Sequence, residues 1–236
     1  MVDLIIPSWN QSKLTVACLQ SIRQHTVDYR LIFVDNGSDA HEFAVVETEL
    51  KRHRHLLVRN RRNLGFVKAV NQGLCLSTAD YVVLLNNDTE VAADWITKLQ
   101  APFTDSRVGA VGPVTTTPDC WQGREPVQPG YRLISATSML AFFCVMFSRQ
   151  CVNDVGLLDG SFGVGLADDD DYCRRIHDEG YHLAIAQNLL ITHHHRSTFK
   201  QLYSNDQVED MTQRGRDLFS LWISFLIPTF LFLGVS

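Results

Sequence analysis

The chain has 236 residues, of which 45% are hydrophobic and 20% charged, and its 26 acidic and 21 basic residues give a net charge of −5. This composition is ordinary for a soluble globular protein and excludes disordered, collagen-like and many-pass membrane proteins. The acidic balance argues against a nucleic-acid partner, although Arg59, Arg61 and Arg62 form a small basic cluster. No two of the six cysteines are separated by two residues, which predicts buried, reduced thiols rather than disulfides or a zinc site.

The first half of the sequence alternates strand and helix patterns. Apolar runs that end at polar turn residues predict four strands, over Leu4–Ile6, Leu31–Val34, Leu56–Val58 and Tyr81–Leu85. Helical spacing between them predicts three helices, the first capped by Asn10 or Ser12, the second over 42–53 and the third ending near Ser77. Strand–helix units at this spacing predict a parallel sheet with right-handed crossovers.

The second half begins with a segment rich in proline and glycine, Pro113–Gly130, which predicts a long loop or lid. A strand is predicted around Val145–Phe147, a helix over Asp168–Glu179, and a further strand over Leu183–Ile191. An apolar strand directly after Met1, without a basic segment or a cleavage site, predicts no signal peptide.

Polar stretches follow all four strands predicted in the first half, namely Pro7–Asn10, Asp35–Ser38, Arg59–Gly65 and Asn86–Asp88. Ligands of open parallel sheets bind beyond the carboxyl ends of the strands, so these stretches predict one site. The sequence contains neither a glycine-rich phosphate loop of familiar spacing nor a Gly-x-Ser-x-Gly elbow. A dinucleotide enzyme, a P-loop enzyme and a serine hydrolase are therefore disfavoured.

The run Asn86-Asn87-Asp88 offers a carboxylate and amide oxygens at a strand end, which suits a hard divalent cation that carries phosphate. The alternative is a polar turn in which Asp88 or Thr89 caps the next helix. The triplet 193–195 consists of histidines after a strand, and imidazole suits Mn²⁺, Fe²⁺ or Zn²⁺ better than Mg²⁺. A purely structural role for these histidines stays open.

Four consecutive aspartates, residues 168–171, begin the predicted helix near the end of the chain. Successive helical side chains point about 100° apart, so at most one or two of these carboxylates face one cleft. The amino end of a helix favours the ionised form, so we expect a lowered pKa and a carboxylate able to accept a proton from a hydroxyl. A solvated acidic first turn is the alternative.

Seven stretches carry a resemblance to a known family: Ile6–Asn10, Val34–Ser38, Asn63–Gly73, Leu84–Thr89, Asp168–Cys173, Gly180-Tyr181 and His193-His194. In this order and spacing they resemble the family 2 glycosyltransferases of the GT-A fold, over about residues 2–222. These are inverting, metal-dependent enzymes that use sugar nucleotides. The form Leu-Leu-Asn-Asn-Asp-Thr is most similar to the rhamnosyltransferase-like branch, which acts on bacterial surface polysaccharides.

The resemblance implies an α/β fold with a mostly parallel central sheet flanked by helices. It implies one domain over 1–217, with a nucleotide-binding half (1–112) and an acceptor and catalytic half (113–217). The donor would be a UDP-, dTDP- or GDP-sugar and the acceptor a saccharide or a lipid-linked acceptor. Nucleic acid is not an expected partner. We expect a cytoplasmic protein, associated or not with the inner face of the plasma membrane.

The family's residue roles are expected at matching positions of this sequence. The nucleotide sugar would contact Pro7, Ser8, Asn10, Asp35, Asn63, Gly65 and Asn87, with Asp35 accepting a hydrogen bond from the pyrimidine imide. Asp88 and His193 would hold Mn²⁺ or Mg²⁺ against the diphosphate. Asp169 would be the general base.

Two positions depart from the family pattern, because Asn86-Asn87 replaces acids that many members have, and Asp168 replaces a usual glutamate. A sugar-nucleotide-binding module with decayed catalysis therefore stays open as an alternative. A sugar-1-phosphate nucleotidyltransferase would need a glycine-rich amino-terminal loop, which Pro7–Asn10 is not. The uncharged segment 218–236 has no counterpart in the family pattern, and membrane contact, a partner or oligomer surface and a packed tail stay open for it.

Overall fold

The computed structural model describes residues 1–118, 120–135, 137–162, 167–194 and 213. The strands are β1 (Val2–Ser8), β2 (Tyr29–Asp35), β3 (His55–Arg59), β4 (Tyr81–Leu85), β5 (Thr89–Glu90), β6 (Val108–Thr115), β7 (Tyr131–Leu133), β8 (Cys144–Ser148) and β9 (His182–His193). The helices are α1 (Ser12–His25), α2 (Ala40–Leu50), α3 (Phe66–Leu76), α4 (Trp95–Gln100), α5 (Arg149–Val155) and α6 (Asp168–Asp178).

The described strands form a nine-stranded sheet in the order β3-β2-β1-β4-β8-β6-β9-β5, and β7 pairs with β9. The strands β1 to β4 are parallel to one another, and β6 is parallel to β9. Because β8 is antiparallel to both β4 and β6, these six strands all point the same way. The prediction of a mostly parallel sheet flanked by helices is confirmed, and both halves of the predicted domain contribute strands to it.

Helices cover the sheet on two faces. One core contains apolar side chains of α1, α2 and α4, including Leu19, Leu50 and Trp95, and the other contains side chains of α3, α5 and α6. All seven residues of β1 are buried, and its side chains alternate between the two cores, as expected for a central strand covered on both faces. At Gly73 of α3, a Cβ would lie 2.3 Å from Ile5 Cγ2, so only glycine lets α3 approach β1 this closely.

The sequence placed several boundaries differently and missed the strands β5, β6 and β7 and the helices α4 and α5. The predicted loop starts too early, since Pro113 lies inside β6, beside an irregularity of its pairing with β9 where a missing backbone N–H is tolerated. Neither Asn10 nor Ser12 caps α1 with its side chain. Instead, Gln11 precedes the helix in a left-handed conformation, and Glu42 Oε2 accepts a hydrogen bond from the Ser12 N–H at 2.7 Å.

All six cysteines are free thiols, as predicted, but they are not all buried, because Cys75 is exposed and Cys120 is half-buried. Within the described ranges, no helix has the length and apolar character that a membrane span requires. The segment 218–236 lies outside the described residues.

A buried charge cluster holds the amino-terminal edge of the sheet. The fully buried Asp3 carboxylate accepts hydrogen bonds from Arg30 Nη2 at 2.7 Å, from Ser77 Oγ at 2.9 Å and from the backbone N–H groups of Thr78 and Ala79 at 2.8 and 3.0 Å. Burial alone raises the pKa of Asp3, but the hydrogen bonds from Arg30 and the two amides hold that pKa below its usual value.

We expect Asp3→Asn to lower the free energy of unfolding by about 3–5 kcal/mol, because it leaves the Arg30 guanidinium without its buried anion. The stability that the ionised Asp3 contributes is present above its usual pKa of 3.8 and is lost as the pH falls through the lowered folded-state pKa. Urea unfolding between pH 7 and about pH 2 measures both effects. The control Asp105→Asn removes the half-buried partner of the exposed Arg107, a surface ion pair, and should change stability little; an equal loss in both variants would contradict the prediction.

Candidate active site

Topology brings the chemistry-bearing residues to one edge of the sheet. The carboxyl ends of β1, β2, β4, β6 and β9 lie at this edge, because these strands point the same way. Helix α6 reaches the start of β9 through a short turn and packs against it, so its amino end points back to the same edge. Ser8, Asp35, Asp88, Asp169 and His193 therefore share one side of the molecule.

Asp88 and His193 form a close pair at this edge. The Nε2 atom of His193 lies 3.3 Å from Oδ1 of Asp88, and each side chain is only 8% exposed. The short strand β5 follows Asp88 and pairs with the end of β9, which brings Thr89 opposite His193. The backbone N–H of His194 donates to the Asp88 carbonyl at 2.9 Å. Asp88 thus belongs to a strand pairing and does not cap a helix.

Phe143 supports both members of this pair. Its ring stacks on the His193 imidazole with a centroid distance of 4.8 Å and an interplanar angle of 14°. Its carbonyl accepts a hydrogen bond from the Asn86 N–H at 2.8 Å, which fixes the start of the turn that carries Asp88. Nothing in the sequence pattern singled out Phe143, because its two partners lie on different strands.

The residues at this pair fit a divalent cation. The Oδ1 atom of Asn86 is buried and accepts no hydrogen bond from the described residues, so an amide oxygen is available beside the turn of Asp88. A carboxylate, an imidazole and an amide oxygen suit Mn²⁺, while Mg²⁺ prefers the oxygens alone. Over the part of the chain that the structure describes, no three or more His, Cys, Asp or Glu side chains cluster as metal ligands.

Asp35 ends β2 in a buried position and is 1% exposed. Its Oδ1 accepts from the Ser38 N–H at 3.1 Å, and its Oδ2 accepts from Arg59 Nε at 3.0 Å. The guanidinium of Arg59 lies 3.8 Å above the centre of the Phe43 ring. Each carboxylate oxygen offers two lone pairs, so Asp35 can accept a further hydrogen bond from a ligand.

The loop after β1 is tied to the loop after β2. The N–H of Asn10 donates to Ser38 Oγ at 2.8 Å, and the N–H of Asp39 donates to Asn10 Oδ1 at 2.9 Å. Asn10 has a φ of 52°, in the left-handed region that asparagine tolerates better than most residues. These contacts place Asn10 next to Asp35, as the sequence analysis expected of neighbouring strand ends.

A network of side-chain amides connects the loops after β2 and β3. Asn36 donates to Asn63 Oδ1 at 2.9 Å and accepts from Asn60 Nδ2 at 3.0 Å, and Asn60 in turn pairs with Gln72 on α3. The Asn63 Oδ1 atom also accepts from the N–H of Gly65 at 2.9 Å, and Gly65 precedes α3 with a φ of 88°. Asn36, Asn60 and Gln72 lie within stretches that the sequence singled out, but none of them had been given a role of its own.

Ser8 and Asn87 lie deeper and contact each other. Asn87 Nδ2 donates to Thr15 Oγ1 at 2.9 Å and to Ser8 Oγ at 3.4 Å, and all three side chains are buried. Pro7 lies within β1, paired in register with Val34. The structure thus places these expected nucleotide-sugar contacts beneath the edge, where Ser8 and Asn87 join β1 to the turn of Asp88.

The four aspartates of α6 have different surroundings. Asp168 is buried, and Asp171 forms an ion pair with Arg175 at 2.8 Å, whereas Asp169 and Asp170 are half-buried. Burial, followed by the negative charges of Asp168 and Asp170, raises the pKa of Asp169 well above its usual value. The expectation of a lowered pKa is therefore wrong, because desolvation and like charges outweigh the field of the helix end.

The segment 115–124 passes near both His193 and Asp169. Thr117 Oγ1 donates to the His193 carbonyl at 3.0 Å, and the Cys120 N–H donates to the Thr117 carbonyl at 3.3 Å. Burial raises the pKa of the Cys120 thiol, and the charge of Asp169 raises that pKa further, so Cys120 lies within electrostatic range of Asp169. Thr117 and Cys120 are three positions apart in the chain, so His193 and Asp169 lie on the same side of the molecule.

Gln122 anchors the segment 115–124 through buried hydrogen bonds. It is fully buried, donates from Nε2 to the Pro113 carbonyl at 2.7 Å and accepts from the Ala141 N–H at 2.7 Å. The neighbouring Leu140 N–H donates to Cys173 Sγ on α6 at 3.2 Å. Gln122 thus anchors the proline-rich segment to β6 and to residues 140–141, which contact α6, and no sequence pattern had pointed to Gln122.

Three known proteins are similar to this chain in sequence or in fold. A pre-mycofactocin glycosyltransferase of Mycobacterium tuberculosis is 26% identical over 222 residues, which cover 84% of this chain and 44% of that protein. The structure of a mannosyltransferase of Pyrobaculum calidifontis in complex with GDP-Man and Mn²⁺ matches with a TM-score of 0.67 at 20% identity, covering 81% of this chain and 56% of that one. The structure of Staphylococcus aureus TarS with UDP-GlcNAc matches with a TM-score of 0.69 at 12% identity, covering 86% and 61%.

The chain thus spans less than half of that curated relative, and the two solved structures support the GT-A fold. The sequence profile of glycosyl transferase family 2 matches residues 3–153, which is more than half of the chain. That range contains β1 to β4, the turn of Asp88 and the segment 115–124. The chain belongs to glycosyl transferase family 2.

Proposed function

We propose that this protein is an inverting glycosyltransferase that moves a sugar from a nucleoside-diphosphate sugar to an acceptor hydroxyl. The observation that supports the proposal is the arrangement at the sheet edge, where Thr117 contacts the backbone of His193 from the Asp88–His193 pair and Cys120, three positions farther along, feels the charge of Asp169. The carboxylate and imidazole pair suits a cation with a diphosphate, and the separate carboxylate of Asp169 suits proton transfer.

In the proposed reaction the acceptor oxygen attacks the anomeric carbon from the face opposite the leaving nucleoside diphosphate. The new carbon–oxygen bond forms as the bond to the phosphate oxygen breaks, and the acceptor proton moves to a carboxylate oxygen of Asp169. The raised pKa of Asp169 makes it a stronger base than an exposed aspartate. Base catalysis by a positioned group contributes roughly 10²–10⁴-fold.

Asp88, His193 and the Asn86 amide oxygen would hold Mn²⁺ or Mg²⁺. The cation supplies positive charge that stabilises the negative charge developing on the diphosphate as it leaves. Phe143 keeps the imidazole and the Asn86 backbone in place for this role. The Mn²⁺ in the mannosyltransferase structure is consistent with such a site.

The nucleotide would lie over the ends of β1 and β2. Asp35 would accept the imide hydrogen bond of a pyrimidine, with Pro7 and Asn10 beside it, while Ser8 and Asn87 hold the strand ends together. Asn63 and Gly65 would border the same cleft through the amide network. This assigns the nucleotide to the half 1–112 and the acceptor to the half 113–217.

The identity of the acceptor rests on the sequence alone. We propose a saccharide or lipid-linked acceptor in bacterial surface polysaccharide synthesis on the cytoplasmic side of the membrane, on the strength of the rhamnosyltransferase-like motif. A sugar-nucleotide-binding module with decayed catalysis is the second candidate, and the observation that favours it is Asp88 as the sole carboxylate of the 86–88 turn.

A thermal-shift panel of UDP-, dTDP- and GDP-sugars, each with and without Mn²⁺, tests the donor class. A ligand that binds only the folded state raises the melting temperature by mass action. At a ligand concentration of a hundred times its dissociation constant, the free energy of unfolding rises by about 2.7 kcal/mol. We expect one nucleotide class to raise the melting temperature, and to do so more strongly with Mn²⁺. A panel without any shift would contradict a nucleotide-sugar enzyme, and a shift without transfer to any acceptor would favour the decayed module.

A further inference from the structure

Residues 51–79 contain seven of the 21 Lys and Arg residues and no Asp or Glu, whereas the whole chain has a net charge of −5. The seven cations are Lys51, Arg52, Arg54, Arg59, Arg61, Arg62 and Lys68. All 26 acidic residues therefore lie outside this stretch. The positive charge of the protein is unevenly distributed along the chain, and the fold determines whether it is also concentrated in space.

The fold keeps this stretch on one side of the molecule. It forms β3 and α3, and β3 is the edge strand of the sheet, paired only with β2 among the described strands. All seven cations are exposed. Among the described residues, Arg54, Arg61, Arg62 and Lys68 form no ion pair, while the other three pair with acids on α2 or at the end of β2. We call the surface formed by residues 51–62 and Lys68 the basic edge.

Apolar side chains are exposed along the same sheet edge. Leu56 and Leu57, which flank β3 on opposite faces of the sheet, are 39% and 40% exposed, and Leu76 at the end of α3 is 40% exposed. An open groove between β3 and α3 is lined by Val58, Lys68, Asn71, Gln72, Cys75 and Leu76. If the cations served only to keep the edge strand from pairing with strands of other chains, the exposed leucines beside them would not be needed.

We propose that the basic edge docks onto the surface of an anionic phospholipid bilayer. Exposed cations attract the negative headgroups, and the exposed leucines between them are buried at the boundary of headgroups and acyl chains. A purely polyanionic partner would use the cations and leave the leucines in water. The combination of the two at one sheet edge therefore favours a lipid surface over nucleic acid or a free phosphate.

Docking in this way sets the orientation of the protein. Arg61 and Arg62 follow the carboxyl end of β3, and the close approach of Gly37 to the Arg62 backbone ties them to the loop after β2. The edge that carries Asp35 would then lie next to the membrane surface. The proposal concerns binding to lipid and not transfer, so its failure leaves the proposed glycosyltransferase activity untouched.

Sedimentation of the full chain with vesicles tests the proposal. We expect binding to vesicles of phosphatidylglycerol and phosphatidylcholine, little binding to pure phosphatidylcholine, and a loss of binding as the salt concentration rises. The triple variant Arg54→Gln/Arg61→Gln/Arg62→Gln should weaken partitioning by roughly a hundred-fold, at about five-fold for each charge. The control Lys13→Gln/Lys98→Gln/Arg124→Gln removes the same charge elsewhere and should bind nearly as the parent does.

A second pair of variants tests the apolar part. Leu56→Ser/Leu57→Ser should weaken vesicle binding, whereas Leu133→Ser, at a residue 42% exposed on β7, should not. Circular dichroism and the melting temperature show whether each variant is folded. If a variant does not fold, the dependence of parent binding on salt and on anionic lipid still tests the proposal. Binding that is independent of anionic lipid, or equal in the triple variant and its control, would overturn it. The proposal would also be overturned if neither the triple variant nor its control bound vesicles while the parent bound a single-stranded oligonucleotide tightly.

Discussion

We expect Asp169→Asn to lower kcat for sugar transfer by roughly 10²–10⁴-fold, because an amide cannot accept the proton of the acceptor hydroxyl. The affinity for the nucleotide sugar should change little, since Asp35 and Asp88 lie on other elements. Steady-state kinetics with the donor identified by thermal shift, together with donor binding by calorimetry, measure the two quantities separately.

The neighbouring Asp170→Asn is the matched control, because it removes the same charge from the same turn of α6. Its kcat at the pH optimum should stay within a few-fold of the parent. If both variants lost transfer equally, the effect would come from the acidic turn as a whole and Asp169 would not be the base. Full activity of Asp169→Asn would remove that residue from the mechanism.

The pH dependence gives a second measure of the same residue. Burial and the charges of Asp168 and Asp170 raise the pKa of Asp169, and only the ionised form accepts a proton. Activity should therefore be lost as the pH falls through this raised pKa. In Asp170→Asn one of the two like charges is gone, so the acid limb of the profile should move to lower pH. An unmoved limb would show that a different group controls it.

We expect Asp88→Asn to remove most of the increase in nucleotide affinity that the metal provides. The affinity in the presence of metal should fall by at least about 10–100-fold, which is the loss typical for groups that only support a metal ligand. The variant removes the carboxylate that lies 3.3 Å from His193 Nε2, and the amide that replaces it carries no charge. Titration with UDP or GDP at several Mn²⁺ concentrations measures the gain directly.

Glu90→Gln is the control for this variant, because Glu90 lies two residues farther along the chain and pairs with His194 at 2.8 Å on the exposed side of β5. Its metal dependence should match that of the parent. Unchanged Mn²⁺-dependent binding in Asp88→Asn would contradict the metal assignment, and an equal loss in Glu90→Gln would indicate that the β5–β9 pairing, rather than the carboxylate, matters.

Local sequence patterns predicted much of the sheet. Apolar runs of the length of Tyr81–Leu85 are covered on both faces of a parallel sheet, and all but the first residue of that run is buried. The pattern failed at β6, where Gly109, Gly112 and Pro113 interrupt the run, because its pairing with β9 and β8 stabilises a strand that its own residues disfavour. Local propensity is a weak guide where tertiary pairing supplies the stabilisation.

By itself the sequence determined the fold class and predicted that the polar strand ends share one edge of the sheet, since strand periodicity and strand-end polarity are local properties. Tertiary structure alone decided that β8 enters antiparallel between β4 and β6, that Phe143 supports His193, and that Gln122 anchors the segment 115–124. It also reversed the expected pKa of Asp169. The effect of a helix end on a pKa is local and can be predicted from the sequence. Burial instead depends on which other elements cover a carboxylate, and only the folded structure contains that information.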